Sequence, residues 1–323
     1  MEKLSLKLGF VALLDSAPLL VAQERGFFAE QGLTVDLQRQ PSWAALRDKV
    51  AVGALDGAQM PAPMVLASNL GLGGLAEPLV TGIALNLGGN AITLSNRLAE
   101  AEPASWGKPT FAIVHAFSAH HYELRIWLTG LGLDPDRDVR LVIVPPAQML
   151  SNLSAGVIDG YCVGEPWNSL AATAGLGKVA VTSREILAGR MEKVFGVRRF
   201  WADRYPETHQ ALLRALLLAG EWCDEEDNRG ELAELLARPG HVNAPAGLLR
   251  GLLGGANAPI FHRDGANIPS HSQAHWYLEQ MKKAGQLTTP LDAARLVEQL
   301  FRCDLAKQAT PDAAPQALRG EAL

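Results

Sequence analysis

A chain of 323 residues, 48% hydrophobic and 20% charged, is long enough for two lobes of roughly 100–200 residues each. Its formal charge of −5, from 29 Lys plus Arg against 34 Asp plus Glu, speaks against a broad basic face for nucleic acid or an anionic membrane. An anion bound by such a chain needs a small basic pocket.

Polar and apolar residues alternate from Glu2 to Phe10, which is a strand pattern. A secretory signal needs a charged start, an apolar run of about 7–15 residues and a small-residue cleavage site. Here Asp15 and Gln23 break the early apolar stretches. No run approaches the ~20 apolar residues of a membrane span. Cys162, Cys223 and Cys303 are scattered, odd in number and without a CxxC pair, as expected of inert thiols in a reducing compartment. The expectation is a cytoplasmic protein.

In chain order, a strand at 6–10 precedes a helix reaching about Phe28, with Asp15 or Ser16 as its cap and Pro18 in its first turn. Gly32 separates this from a strand at 33–39. Ser42 then caps a helix at 43–52. A strand at 56–60 leads to a helix from Pro61 to near Gly71. The glycines from Gly71 to Gly74 lack the GxGxxG spacing and read as a flexible connection. Strands at 78–87 and 90–95 flank Gly88-Gly89. Alternation restarts with a strand at 110–115 and a Ser118-capped helix to about Leu131. A strand at 139–144, a helix at 146–155, a strand at 158–163 and a helix at 165–174 follow. A last strand pair is expected at 178–181 and 193–198. Beyond Trp201 the chain reads as helical until a Pro/Ala/Gln-rich end from about Gln308, which reads as frayed.

Alternating strands and helices imply parallel sheets in an α/β fold. Strand-like runs near 80–95 and 193–200 make the chain pass twice between lobes. One lobe is then discontinuous, 1–88 plus 199–323, and the other, 90–192, is inserted. A ligand belongs in the cleft between them, outside the carboxyl ends of the strands.

Four strand-to-helix junctions put helix N-termini there, at Ser42, Pro61, Ser118 and Glu165, and such ends suit a small anion. Of His115, His120 and His121, adjacent His120 and His121 point about 100° apart and cannot share a ligand. His120 sits in the first turn and is the one placed for an anion. A zinc reading could pair it with Glu123 at i, i+3, but no third ligand has matching spacing. There is no GxSxG, HExxH or local Cys/His signature, and Glu165 reads as complementing a helix dipole rather than as a base. Trp43 follows a Pro-Ser turn and can donate its indole N–H into a cleft. Trp127, Trp167 and Trp201 read as core. Neither a cofactor nor a metal is expected.

Seven segments then carry a resemblance: Gly9-Phe10-Val11-Ala12-Leu13-Leu14-Asp15-Ser16-Ala17-Pro18-Leu19, Pro41-Ser42-Trp43-Ala44-Ala45-Leu46-Arg47-Asp48, Asp56-Gly57-Ala58-Gln59-Met60, Asp134-Pro135-Asp136-Arg137-Asp138-Val139, Val144-Pro145-Pro146-Ala147-Gln148-Met149, Cys162-Val163-Gly164-Glu165-Pro166-Trp167-Asn168 and Glu192-Lys193-Val194-Phe195-Gly196. Together they resemble the nitrate- and bicarbonate-binding proteins of ABC importers and their relative, the NasS-type cytoplasmic nitrate/nitrite sensor. The resemblance implies a two-lobed periplasmic-binding-protein-like fold (type II) whose cleft clasps a planar anion. It implies nitrate contacts at Trp43, His120 and Lys193 and a backbone contact at Gly164. Asn90 falls where transport members often carry the longer Gln. Gln59 lies in a segment where members vary and joins the list.

Nitrate has acceptor oxygens, no proton to donate and a permanent charge, so a selective site is expected to offer donors only. Removing Lys193 is expected to abolish binding and leave the fold intact. His120→Ala is expected to weaken binding less, and His121→Ala to do little. The sensor reading implies a NasT-type RNA-binding antiterminator as partner and no direct contact with nucleic acid. The alternatives are the substrate-binding component of a nitrate ABC importer and an enzyme of the thiamine-pyrimidine or menaquinone-precursor type. The enzyme's cysteine-rich signature is absent.

Overall fold

The structure, a computed structural model, describes residues 2–310. Its strands in chain order are β1 Ser5–Phe10, β2 Thr34–Arg39, β3 Gly57–Pro61, β4 Leu79–Leu87, β5 Asn90–Ser95, β6 Thr110–Ile113, β7 Arg140–Ile143, β8 Gly160–Gly164, β9 Gly177–Thr182 and β10 Met191–Arg198. They form two five-stranded sheets, ordered β2-β1-β3-β10-β4 and β7-β6-β8-β5-β9. Each begins as the expected run of parallel strands and is completed by antiparallel ones. β10 runs antiparallel to β3 and β4, and β5 antiparallel to β8 and β9. The all-parallel expectation is therefore corrected to two mixed sheets. In each sheet the antiparallel neighbour of the third parallel strand is the strand that arrives from the other lobe. β9 and β10, expected to pair, lie in different sheets.

The chain crosses between sheets at Gly88-Gly89, where φ values of 62° and 93° need glycine. A Cβ on Gly89 would also stand 2.7 Å from Pro259 Cγ. The return crossing precedes β10, and the Gly88 N–H donates to the Arg190 carbonyl at 2.8 Å, tying the two crossings together. All of β10, including residues 193–198, is a strand of the first sheet.

The C-terminal helices join that first lobe. Helix Pro206–Asp224 buries Leu212, Leu213 and Leu216 in a cluster with Leu19, Leu20 and Val21 of helix Ala17–Glu24. That latter helix stops at Glu24, because Gly26 adopts φ 82°, and a separate turn, Phe27–Glu30, follows. Ser16 is the N-cap residue by position, but its side chain does not cap this helix, and the Asp15 carboxylate is directed to Lys193 instead. The Gly71–Gly74 connection is pinned rather than loose, since the Gly73 carbonyl accepts from Arg47. Helix Cys303–Ala309 occupies the start of the segment read as frayed; the rest of that segment lies outside the described residues.

A second apolar cluster spans both lobes, bringing Leu13, Trp43 and Met60 together with Val114, Tyr122, Tyr161 and Val163. Polar ties reinforce it. Leu14 N–H donates to the Glu165 carbonyl at 2.8 Å, Tyr122 Oη donates to Gln286 Oε1 at 2.8 Å, and Asn257 Nδ2 donates to the Asn90 carbonyl at 2.9 Å. The lobes are closed on one another.

Candidate functional site

The ends of these strands and helices meet at the lobe interface. Ser42 caps helix Trp43–Ala51, its Oγ accepting from Ala45 N–H at 3.2 Å, and so presents Trp43 at the first turn. Ser118 does the same for helix Ala119–Gly130, accepting from His121 N–H at 3.3 Å. Three residues apart on that helix, His120 and Glu123 share a face, and both are buried. From β10 come Glu192 and Lys193. Adjacent strand residues ordinarily face opposite ways. Here the register against β4 shifts at Met191/Lys193 and again at Lys193/Val194, and Asn86 Oδ1 accepts from Lys193 N–H at 3.3 Å inside that irregularity. The result is direct contact between the Lys193 ammonium and the Glu192 carboxylate.

Lys193 is the centre of the cluster. Its Nζ lies 2.8 Å from Asp15 Oδ2 and 5.3 Å from the centre of the Trp43 ring. Gln59 Nε2 donates to Asp15 Oδ1 at 2.5 Å, while its Oε1 accepts from Val11 N–H at 3.1 Å. Gln59 thus holds Asp15 in place and has its amide engaged at both ends. His120 Nε2 is 3.4 Å from Glu192 Oε1 without hydrogen-bond alignment. Asn90 Nδ2 donates to Glu123 Oε2 at 3.0 Å. Gly164 pairs opposite Asn90, and a Cβ there would sit 3.4 Å from Asp15 Oδ2 and 3.5 Å from Asn90 Oδ1. These contacts link the side chains of Trp43, Gln59, Asn90, His120 and Lys193 with the backbone of Gly164 at one locus.

The donor-only expectation is corrected: three carboxylates, Asp15, Glu123 and Glu192, are built into the same cluster. Glu123 was visible in the sequence only as the i, i+3 partner of His120. Asp15 read as a helix cap. Glu192 was hidden by strand alternation, which the register shifts override.

Several of these groups are buried with polar atoms lacking a partner: Trp43 Nε1, both His120 ring nitrogens, Asn90 Oδ1, Glu123 Oε1 and Glu192 Oε2. Each unmatched buried group costs on the order of 1–3 kcal/mol, so their convergence marks a place built to be completed by a small polar molecule. The other two histidines of the sequence cluster are engaged. His121 Nδ1 lies 2.8 Å from the Ala116 carbonyl, and His115 Nδ1 accepts from Phe117 N–H at 3.1 Å. Glu165 is also engaged, accepting from Ser169 N–H and Oγ at 3.1 Å each. Among the described residues no group of three or more His, Cys, Asp or Glu side chains is arranged to hold a metal ion.

Burial governs the titration of the cluster. It holds His120 neutral, well below the usual imidazole range, with Lys193 adding to the effect. It pushes Glu123 up to about 8, reinforced by the facing charge of Glu192, and Glu192 is raised as well. Burial also works against the Lys193 ammonium, but Asp15 and Glu192 outweigh it and hold the group charged. Cys162, 3.9 Å from Glu123 Oε2, is pushed well above the usual thiol range by burial and the nearby carboxylates. It is a poor nucleophile.

The shifts define a stability profile. Burial depresses His115, His121 and His209 to about 4, so the unfolded chain binds their protons more readily and stability is lost as pH falls from about 6.5 toward 4. Glu123 has the opposite sign. The folded chain keeps its proton up to about 8, so its contribution is lost as pH rises through that value. Above about pH 7.5, where unfolded-state histidines have largely lost their protons, the carboxyl effect dominates, and urea denaturation is expected to show stability declining as pH rises toward 8. Glu123→Gln is expected to flatten that alkaline limb, and a limb unchanged in the variant would assign the proton elsewhere.

Comparison with known proteins fits this architecture. A model of the NMT1-like family matches residues 1–237. The nitrate import ATP-binding protein NrtC of Synechocystis PCC 6803 is 41% identical over 94% of this chain and 50% of its own length. The bicarbonate transport ATP-binding protein CmpC of Synechococcus elongatus is 39% identical over 94% of this chain and 48% of its own. The chain thus spans about half the length of these two relatives. The crystal structure of the periplasmic nitrate-binding protein NrtA from Synechocystis PCC 6803 superposes with a TM-score of 0.92 at 30% identity, over 97% of this chain and 90% of that one. The fold is the two-lobed α/β periplasmic-binding-protein-like one.

Proposed function

The chain belongs to the NMT1-like family, and on that premise we propose that it is a nitrate/nitrite-binding receptor that signals ligand by lobe closure to a protein partner. It acts by binding rather than by catalysis. The observation that carries the reading is the buried Lys193 ammonium, flanked at one closed interface by the unpartnered nitrogens of Trp43 and His120. A small planar oxyanion offers acceptors to all three. Relatives named for nitrate import and nitrate binding support the choice of anion.

A ligand that binds only the native state stabilises it by about 2.7 kcal/mol at a hundredfold excess over Kd. Millimolar nitrate or nitrite is therefore expected to raise the melting temperature by several degrees, and equal chloride to leave it nearly unchanged. No shift with either oxyanion would remove the ligand assignment.

The partner proposed is a NasT-type RNA-binding antiterminator in the cytoplasm, held by the open receptor and released when nitrate closes it. What supports this is the resemblance to cytoplasmic sensors. Closure offers the physical means, since nitrate favours the form for which it has the higher affinity, and reciprocity requires the partner to weaken nitrate binding by the same factor. A second reading, the substrate-binding component of a nitrate importer, is favoured by the printed names of the relatives. Size-exclusion chromatography of receptor and antiterminator together separates the two. A complex that nitrate dissolves supports the sensor; a complex indifferent to nitrate, or none, favours the importer.

A further inference from the structure

We propose that the site takes up a proton together with its anion, and that the facing carboxyls Glu123 and Glu192, one from each lobe, hold that proton. The inference rests on the reading that a small oxyanion enters this site.

The argument begins from charge and place. Asp15, Glu123 and Glu192 are buried within one cluster whose only paired ammonium, among the described residues, is Lys193. With every carboxyl ionised the cluster is already net negative, and a further anion would add a like charge in a water-poor interior, where repulsion is weakly screened. One proton offsets the charge that the anion adds. Lys193 already carries its charge, and His120 sits beside that ammonium, so the carboxyl pair is the favoured seat.

The surroundings of the pair support it from each packed element. Glu123, on helix Ala119–Gly130, faces Asn90 of β5, Cys162 of β8, Tyr277 of helix His271–Lys283, Glu192 and Lys193 of β10, and Arg190 just before it. Glu192 faces Lys193, Asp15, His120, Asn90 and Tyr277. Arg190, the second cation in reach, stacks on Trp276 with its Cζ 4.1 Å from the ring centre.

Closure is what brings the pair together, because Glu123 belongs to the inserted lobe and Glu192 to the discontinuous one. Opening would return both to water and release the proton to solvent. When held on Glu123 Oε1, which has no partner, the proton turns an acceptor into a donor aimed at the anion. Glu192 then remains ionised beside Lys193. The same logic selects charge: a monovalent oxyanion is balanced by one proton, whereas a divalent one such as sulfate needs two.

The test is calorimetric titration of the full chain with sodium nitrate at pH 8.5 in Tris and in triethanolamine, buffers that differ in ionisation enthalpy, followed by affinity measured from pH 5.5 to 9.5. The expected result is uptake of about 0.5–1 proton per anion and affinity falling about tenfold per pH unit above about pH 8. Glu123→Gln is expected to bring uptake near zero and flatten the profile. Binding of the parent chain with no uptake and no pH dependence would overturn the proposal, whether or not the variant folds. Uptake that persists in Glu123→Gln but vanishes in His120→Gln would overturn it too, placing the proton on the imidazole. Absence of nitrate and nitrite binding at every pH would remove the oxyanion reading itself, and this inference with it.

Discussion

Lys193→Ala is expected to lower the stability of the chain by about 3–5 kcal/mol and to abolish its response to nitrate, because it strands two buried carboxylates at once. The ammonium is fully buried, 2.8 Å from Asp15 and in contact with Glu192. From sequence alone the variant is expected to stay folded and merely lose its ligand; the buried ion pairs change that expectation. The two effects can be separated. Adding Glu192→Gln to Lys193→Met is expected to recover part of the stability, since one uncompensated charge is removed, and to recover none of the binding. Urea denaturation and nitrate thermal shifts read the two quantities independently. A single variant as stable as the parent chain would mean that the ion pairs do not form as described. Effects at the neighbouring histidines are graded: His120→Ala weakens binding less than loss of Lys193, and His121→Ala, whose ring is engaged with Ala116, does little.

Trp43→Ala is expected to cost about 3–5 kcal/mol, the range for deleting a large buried aromatic. The side chain is fully buried in the cluster that joins the lobes, alongside Leu46, Val50 and Met60. Trp43→Phe separates packing from hydrogen bonding. It keeps most of the apolar contact and the ring face toward Lys193, but it loses the unpartnered Nε1–H. The phenyl variant is therefore expected to lose clearly less stability than the alanine variant and still bind nitrate at least several-fold more weakly, as for a net hydrogen bond of about 1 kcal/mol or more. Unchanged binding in Trp43→Phe would show that the indole nitrogen does not face the ligand.

Much of the fold was legible because its elements obey local rules. Ser42 and Ser118 announce their helices by side-chain capping, and Gly88-Gly89 marks the first crossing where positive φ is required. What local rules could not supply was strand direction. The antiparallel course of β10 follows from the return of the chain out of the inserted lobe, a long-range fact with no signature in residues 191–198. The same limit applied to the site. Trp43 and His120 were named from their helix-start positions as well as from the resemblance, Asn90, Gly164 and Lys193 from the resemblance alone, and the structure gathers all five. Gln59, named with them, proves to be the support of Asp15. Glu192 escaped because alternation assigns it to the face opposite Lys193, and only the register shifts of β10 bring both inward. Asp15 escaped because an acidic residue before a helix ordinarily caps it, whereas here its carboxylate meets an ammonium brought from almost 180 positions later in the chain.

The central claim, that this interface closes on nitrate or nitrite, is tested most directly by calorimetric titration of the purified chain at pH 6.5 with nitrate, nitrite, bicarbonate and sulfate in turn. Under the proposed reading the expected result is saturable binding of one nitrate or nitrite per chain and no comparable affinity for sulfate. Silence toward both nitrogen oxyanions, or binding of bicarbonate alone, would contradict it.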